Sequence, residues 1–122
     1  MGERVLVDTD ILIDYYRDRI DLPSRNIYFI STITLYEYIR GTTEPKLAKK
    51  LLEESFTVIP LTNKVLLRAS EIWQDLKKRG FLLDDRDLMI GTTAIVFKLK
   101  LLTKNVKYFN RLEKYGLELY YL

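Results

Sequence analysis

Three acidic residues occupy places in the chain where metal chemistry could be assembled. Asp8 directly follows a short apolar run at residues 5–7, Glu37 lies in a predicted helix over residues 34–40, and Asp87 begins an apolar helix. Carboxylates brought together raise one another's pKa and repel. A divalent cation relieves that repulsion, and Mg²⁺ and Mn²⁺ prefer carboxylate oxygen. If the fold brings these acids together, metal-assisted hydrolysis is the chemistry that they favour.

Two residue types are missing from the sequence, and their absence narrows the alternatives. The chain has 122 residues and contains no Cys and no His. Without Cys there can be no disulfide, thiolate nucleophile or Cys-ligated zinc or iron–sulfur cluster. Without His the commonest general base and the commonest transition-metal ligand are lost. Any catalysis must therefore use carboxylates, hydroxyls, lysines or a hard metal bound through oxygen.

Predicted strands and helices alternate from one end of the chain to the other. Apolar runs predict five strands, at residues 5–7, 27–30, 56–61, 99–103 and 117–122. Helical spacing, capping residues and glycine stops predict helices between them, at residues 10–17, 34–40, 45–52, 65–79, 87–97 and 105–114. Strands joined through helices form a parallel sheet covered on both faces. The sequence therefore predicts one α/β domain over residues 1–122, a three-layer α/β/α sandwich with a five-stranded parallel sheet.

This fold gives the acids a common location. Ligands of such sheets bind outside the carboxyl ends of the strands, and Asp8, Ser31 and Thr103 all end predicted strands. Each acid alone also fits a structural role. Asp8 suits a helix N-cap, Asp87 suits a first helical turn, and Glu37 suits an exposed helix face. Only their joint position at one sheet edge indicates a site.

Four short segments carry a more specific pattern. They are VDTDILID at residues 7–14, ISTITLYE at 30–37, DLMIGTTA at 87–94, and LTKN at 102–105 followed by Phe109. In this order they resemble the motifs of the PIN-domain family, and within it the small VapC-type toxin ribonucleases. The third and fourth segments, at this separation and before a closing strand, are the most specific. The resemblance extends over essentially the whole chain and implies a PIN-like fold.

The resemblance also implies roles for individual residues. It implies an endoribonuclease whose Mg²⁺ or Mn²⁺ is held by Asp8, Glu37 and Asp87, and whose products carry a 5′-phosphate and a 3′-hydroxyl. Asn105 stands at the fourth catalytic position, which is Asp in some members. Behind these residues, Thr9, Thr103 and Asp10 would orient carboxylates or water. Tyr108 replaces an additional acid of many relatives, so we expect one tightly held ion rather than two.

The charge distribution fits an acidic pocket beside a basic surface. The net charge is +3, yet residues 98–114 hold six basic residues and one acid. We expect Lys104, Lys107 and Arg111 to contact the RNA backbone, which such charges bind without reading its sequence. The resemblance further implies a VapB-type antitoxin partner and a homodimer. Because the chain has no apolar run of about 18 residues and no signal-peptide pattern, we expect no membrane segment and a cytoplasmic location.

Two other functions are compatible with parts of the sequence. Asp8 and Asp10 resemble the Asp-x-Asp opening of haloacid-dehalogenase-like phosphatases, in which the first Asp is the nucleophile and the second a general acid. That fold with its cap is usually longer, and this reading leaves residues 87–94 and 103–109 unexplained. The second alternative is a catalytically weakened PIN-fold module that binds RNA, because Asn105 and Tyr108 depart from the family pattern. A Mn²⁺-dependent rise in thermal stability that Asp8→Asn removes would favour the enzyme.

Overall fold

The computed structural model describes residues 2–122, in which five strands form a single parallel sheet. The strands are β1 (Arg4–Val7), β2 (Ile27–Ser31), β3 (Thr57–Ile59), β4 (Lys100–Leu102) and β5 (Glu118–Leu119). Their spatial order is β3-β2-β1-β4-β5, and every neighbouring pair is parallel. The helices are α1 (Thr9–Tyr16), α2 (Thr32–Arg40), α3 (Pro45–Ser55), α4 (Asn63–Lys78), α5 (Asp85–Phe97) and α6 (Val106–Phe109). The predicted α/β class and strand number are confirmed.

Two separate apolar cores lie on the two faces of the sheet. Side chains alternate along β1, so Val5 and Val7 point to one face and Leu6 to the other, and all three are fully buried. Residues of α1, α2 and α3 pack with Val5 and Val7, whereas residues of α4, α5 and α6 pack with Leu6. This arrangement is the predicted three-layer sandwich.

Polar side chains fix the starts of the helices that approach the carboxyl edge of the sheet. Asp8 accepts a hydrogen bond from the backbone N of Thr9 at the start of α1. Ser31 Oγ accepts one from the backbone N of Thr34 in α2 at 3.1 Å. Asp8 directly follows β1 and Ser31 is the last residue of β2. The chain therefore passes from strand to helix without a loop, and the turn geometry at this edge is tightly defined.

Three predicted elements differ clearly from the structure in their extent. β3 ends at Ile59 rather than at residue 61, because Pro60 has no N–H to offer the sheet. β5 has only two residues, Glu118 and Leu119, since the strand beside it, β4, is itself three residues long. The predicted helix at 105–114 divides into α6 and a 3₁₀ helix, Asn110–Tyr115. A 3₁₀ helix is wound more tightly than an α-helix and has three residues per turn.

The topology places the predicted site at the carboxyl ends of the central strands. From β1 the chain proceeds outward through β2 and β3, then returns to pair β4 on the opposite side of β1. Ligand crevices of parallel sheets form at such a reversal, beyond the carboxyl ends of the two strands. The residues that follow β1 and β4 therefore face the same crevice. In the part of the chain that the structure describes, no helix is long and apolar enough to cross a bilayer.

Candidate metal centre

The three predicted acids surround one basic side chain at the carboxyl edge of the sheet. Asp8 follows β1, Glu37 lies on α2, and Asp87 lies in the first turn of α5. Their side chains are largely shielded from solvent, with exposures of 1% for Asp8, 16% for Glu37 and 13% for Asp87. The structure therefore brings together residues that are far apart in the sequence, as the topology predicted.

Arg86 occupies the point on which the three carboxylates converge. Its Nη2 lies 2.9 Å from Asp8 Oδ1, its Nε lies 2.6 Å from Glu37 Oε2, and its Nη1 lies 2.5 Å from Asp87 Oδ1. Sequence reasoning missed this residue. The available signal was a single basic residue within the acidic run at residues 84–87, directly before the third motif.

Asp8 is held rigidly by its neighbours. Its backbone N donates to the carbonyl of Leu102 at 3.0 Å, which extends the β1–β4 pairing. Its Oδ2 accepts from Thr103 Oγ1 at 2.8 Å, and its Oδ1 accepts from the backbone N of Thr9 at 2.8 Å. Thr103 Oγ1 in turn accepts from the backbone N of Asn105 at 3.0 Å. The carboxylate orientation is therefore fixed before any ligand arrives.

Glu37 is fixed from the opposite side of the centre. Thr9 Oγ1 donates to Glu37 Oε1 at 2.6 Å, and the hydroxyls of Thr9 and Thr34 are hydrogen-bonded at 3.1 Å. Burial raises the pKa of Glu37, but the hydrogen bonds from Arg86 and Thr9 outweigh it and hold this pKa below its ordinary value. Glu37 is therefore ionised at neutral pH. Thr9 and Thr103 both contact the acids that they were predicted to orient.

Asp10 supports the site indirectly. Its Oδ1 accepts from the backbone N of Ile11 at 2.7 Å, and its Oδ2 accepts from the backbone N of Lys104 at 3.1 Å. Burial raises the pKa of Asp10, and the charge of Asp8 adds to that rise. The ammonium group of Lys104 forms an ion pair with the buried Asp14. Asp10 and Lys104 thus tie α1 to the segment that follows β4.

Two residues of the fourth motif lie at the border of the centre. Asn105 precedes α6, and its side chain is exposed and does not cap that helix. It meets the centre through its backbone N, which donates to Thr103. Tyr108 is 53% exposed. The catalytic role of the Asn105 side chain stays a prediction.

The donor set fits a hard divalent cation. Three carboxylates converge on one positive group, and oxygen is the donor that Mg²⁺ and Mn²⁺ prefer. The formal charges of the three acids and of Arg86 sum to −2. In the arrangement of residues 2–122, however, no three acidic side chains stand close enough to one another to hold an ion together. The guanidinium group of Arg86 lies between them.

The surroundings raise the pKa of both Asp87 and Arg86, which disfavours the charged form of the acid and favours that of the arginine. Burial raises the pKa of Asp87 above its ordinary value, and the charges of Asp8 and Asp84 add to the rise against the opposing effect of Arg86. Burial disfavours the charged form of Arg86, but the hydrogen bond to Glu37 and the charge of Asp8 outweigh it and raise the pKa of Arg86. Arg86 is therefore a permanent cation of this centre.

Replacing Thr103 with Val should lower the free energy of unfolding by about 1–3 kcal/mol, because Asp8 Oδ2 is then left buried without its donor. Thr92→Val is the matched control. Its hydroxyl is also buried but has no hydrogen-bond partner in the described part of the chain, so the change should be neutral or stabilising. Urea unfolding of the two variants measures the difference. Equal destabilisation by both substitutions would contradict the role assigned to Thr103.

Comparisons with known proteins identify relatives over nearly the full chain. A family model described as PIN domain matches residues 5–115. Ribonuclease VapC1 of Methanocaldococcus jannaschii is 42% identical over 119 residues, which are 96% of this chain and 87% of that protein. The structure of VapBC-1 from nontypeable Haemophilus influenzae superposes with a TM-score of 0.79 at 25% identity, covering 96% of each chain. A toxin–antitoxin complex from Klebsiella pneumoniae superposes with a TM-score of 0.67 at 27% identity, covering 86% of this chain and 89% of that one.

Proposed function

The chain belongs to the PIN domain family, and on this premise we propose that it is an endoribonuclease that hydrolyses RNA with Mg²⁺ or Mn²⁺. The convergence of Asp8, Glu37 and Asp87 on one positive group is the observation that carries the proposal. The relative of this chain from M. jannaschii is named a ribonuclease. The Asp8/Asp10 phosphatase alternative finds less support, because Asp10 bonds to backbone N–H groups beside the centre and does not join it.

The residues of the chain would supply the binding and orientation that hydrolysis requires. Asp8, Glu37 and Asp87 would hold the ion. Such an ion lowers the pKa of a water molecule and offsets charge on the phosphodiester. Thr103 and Thr9 hold Asp8 and Glu37 in fixed orientations, so the carboxylates need little rearrangement when substrate binds. The absence of His from the sequence fits this reliance on carboxylates.

A basic and aromatic surface offers contacts for the RNA strand. The guanidinium group of Arg111 lies 5.1 Å from the centre of the Phe81 ring. Both residues line a cavity of about 420 Å³, together with Arg79 and Lys114. Phe81 is 48% exposed, so a base could stack on it while the basic groups contact phosphates. Of the three predicted contacts, we propose Lys107 and Arg111 for the RNA backbone. Lys104 is already paired with Asp14.

We further propose that the protein is the toxin of a VapBC-type pair. The Klebsiella pneumoniae structure that it resembles is a toxin–antitoxin complex. The proposed partner is therefore a small VapB-type antitoxin that covers the acidic centre, and the proposed assembly contains two copies of this chain. Because the proposed substrate is RNA, the proposed place of action is the cytoplasm. Copurification of the chain with the product of a neighbouring gene would test the pairing.

The ends of the cleaved RNA test the proposed reaction. Incubation of structured RNAs with the purified protein and Mg²⁺ or Mn²⁺ should yield 5′-phosphate and 3′-hydroxyl ends, and a chelator should stop the cleavage. Cyclic 2′,3′-phosphate ends, or cleavage that persists in chelator, would contradict hydrolysis at a metal centre. Binding of RNA without cleavage across a broad panel would instead favour the weakened RNA-binding module.

A further inference from the structure

Arg86 stands in a place that its own helix disfavours. It lies in the first turn of α5, where the helix dipole favours anions and opposes cations. The neighbouring residues Asp84, Asp85 and Asp87 follow this preference, and Arg86 does not. Its position is therefore not explained by the stability of α5. The three carboxylates that it contacts supply the favourable interactions that keep it there.

The geometry of Arg86 differs from that of an ordinary salt bridge. An Arg commonly pairs two nitrogens with the two oxygens of one carboxylate. Here each of the three guanidinium nitrogens meets a different carboxylate, at distances between 2.5 and 2.9 Å. The guanidinium group thus spans all three acids, in the position where a shared cation would balance them.

The Arg86 side chain is partly exposed and can leave the centre toward solvent. Its side chain is 32% exposed, whereas Asp8, on which it converges, is 1% exposed. Arg86 therefore reaches inward from the solvent side and can swing away without disturbing the core beneath Asp8. The net −2 that remains with Arg86 in place still attracts a divalent cation.

We propose that Arg86 is an internal cation that occupies the carboxylate centre and that a divalent metal ion must displace. This inference rests on the proposed metal site, and it makes Arg86 the residue that sets the metal affinity of that site. Arg86 then has opposite effects on metal affinity and on the stability of the metal-free protein. Arg86 weakens metal binding because it competes for the carboxylates, and it stabilises the metal-free protein because it offsets their mutual repulsion.

The Kd for Mn²⁺ of chelator-treated protein, measured by calorimetry, tests the competition. Arg86→Gln should lower this Kd at least about tenfold if Arg86 blocks the centre in roughly nine of ten metal-free molecules. The matched control is Arg68→Gln, which removes the same charge from a similarly exposed arginine (39%) on α4. The control should leave the Kd unchanged. An unchanged or higher Kd for Arg86→Gln would overturn the proposal.

Stability measurements give a second readout that does not depend on activity. Without metal, Arg86→Gln should have a lower Tm than the wild type, and Mn²⁺ should raise its Tm more than it raises that of the wild type. Arg86→Lys provides a variant that keeps the charge. A compact ammonium cannot meet three carboxylates as the planar guanidinium does, so its Kd should lie between those of wild type and Arg86→Gln. A Kd for Arg86→Lys above that of wild type would contradict displacement.

The wild-type protein itself can report the displacement. The NMR signal of the Arg86 Nε–H group, assigned by its loss in Arg86→Lys, should shift on Mg²⁺ titration as its bond to Glu37 breaks. An unchanged signal in protein that has bound Mg²⁺ would overturn the proposal, and so would failure of every variant to bind metal. Tighter Mn²⁺ binding by Arg86→Gln, together with no RNA cleavage by the wild type, would support the displacement and contradict the proposed ribonuclease function.

Discussion

Asp87→Asn should reduce the rate of RNA cleavage at least about 100-fold, a loss of roughly 2.7 kcal/mol of transition-state stabilisation. The reason is that an amide retains one oxygen but loses the negative charge that the centre offers to a divalent cation. The fold should tolerate the change, because the side-chain contact that holds the Asp87 carboxylate is a hydrogen bond from the neighbouring Arg86. The Tm should therefore remain close to that of wild type.

Asp85→Asn is the matched control for this prediction. Asp85 lies in the same first turn of α5, two residues before Asp87, but it is exposed and outside the carboxylate centre. Cleavage rates measured under single-turnover conditions should be unchanged in Asp85→Asn. A comparable loss in both variants would mean that the first turn of α5 acts through its total charge, and it would contradict the specific role of Asp87.

Phe109→Ala should lower the free energy of unfolding by about 3–5 kcal/mol, the usual cost of removing a large buried aromatic side chain. Phe109 is fully buried at the end of α6. It packs against α5 near Gly91, where an added Cβ would lie at an ordinary contact distance of 3.4 Å from Phe109 Cδ1 and only 2.4 Å from Leu112 Cδ1. The glycine therefore makes room for Leu112, and the cavity left by alanine would open in the core that Phe109 shares with Leu112 and α5.

Tyr108→Ala gives a direct comparison for Phe109→Ala. The two residues are adjacent aromatics of α6, but Tyr108 is 53% exposed and Phe109 is fully buried. Surface substitutions of this kind usually change stability by about 0.5 kcal/mol or less. Urea unfolding should therefore separate the two variants by several kcal/mol. If they were equally stable, the burial assigned to Phe109 would be wrong.

The meeting of the acids could be predicted because it depends on topology. Strand–helix alternation requires a parallel sheet, and Asp8 and Thr103 then end at the same edge whatever their side-chain details. The structure places them so, with Thr103 Oγ1 2.8 Å from Asp8 Oδ2. The hydrophobic periodicity of the sequence carries this information, because finding the shared edge requires only the order and direction of the strands and helices.

The position of Arg86 could not be predicted in the same way. Its contacts join residues 49 and 78 positions apart in the chain, and they depend on side-chain torsion angles that no periodic pattern encodes. The same limit applies to the ion pair of Lys104, whose contact with RNA stays a prediction. The structure pairs its ammonium group with Asp14, a buried acid of α1. Which charges remain available to a ligand is thus decided by tertiary packing.

The most direct test of the account is the rate of RNA cleavage as a function of Mn²⁺ concentration, measured for wild type and Asp8→Asn. Asp8 is the most buried of the three acids and accepts hydrogen bonds from Thr9, Arg86 and Thr103, so the fold of the variant should be checked by its Tm. The account predicts saturable, Mn²⁺-dependent cleavage by the wild type and none above background by a folded Asp8→Asn. Equal rates for the two proteins, or no cleavage by the wild type of any RNA in a broad panel, would contradict it.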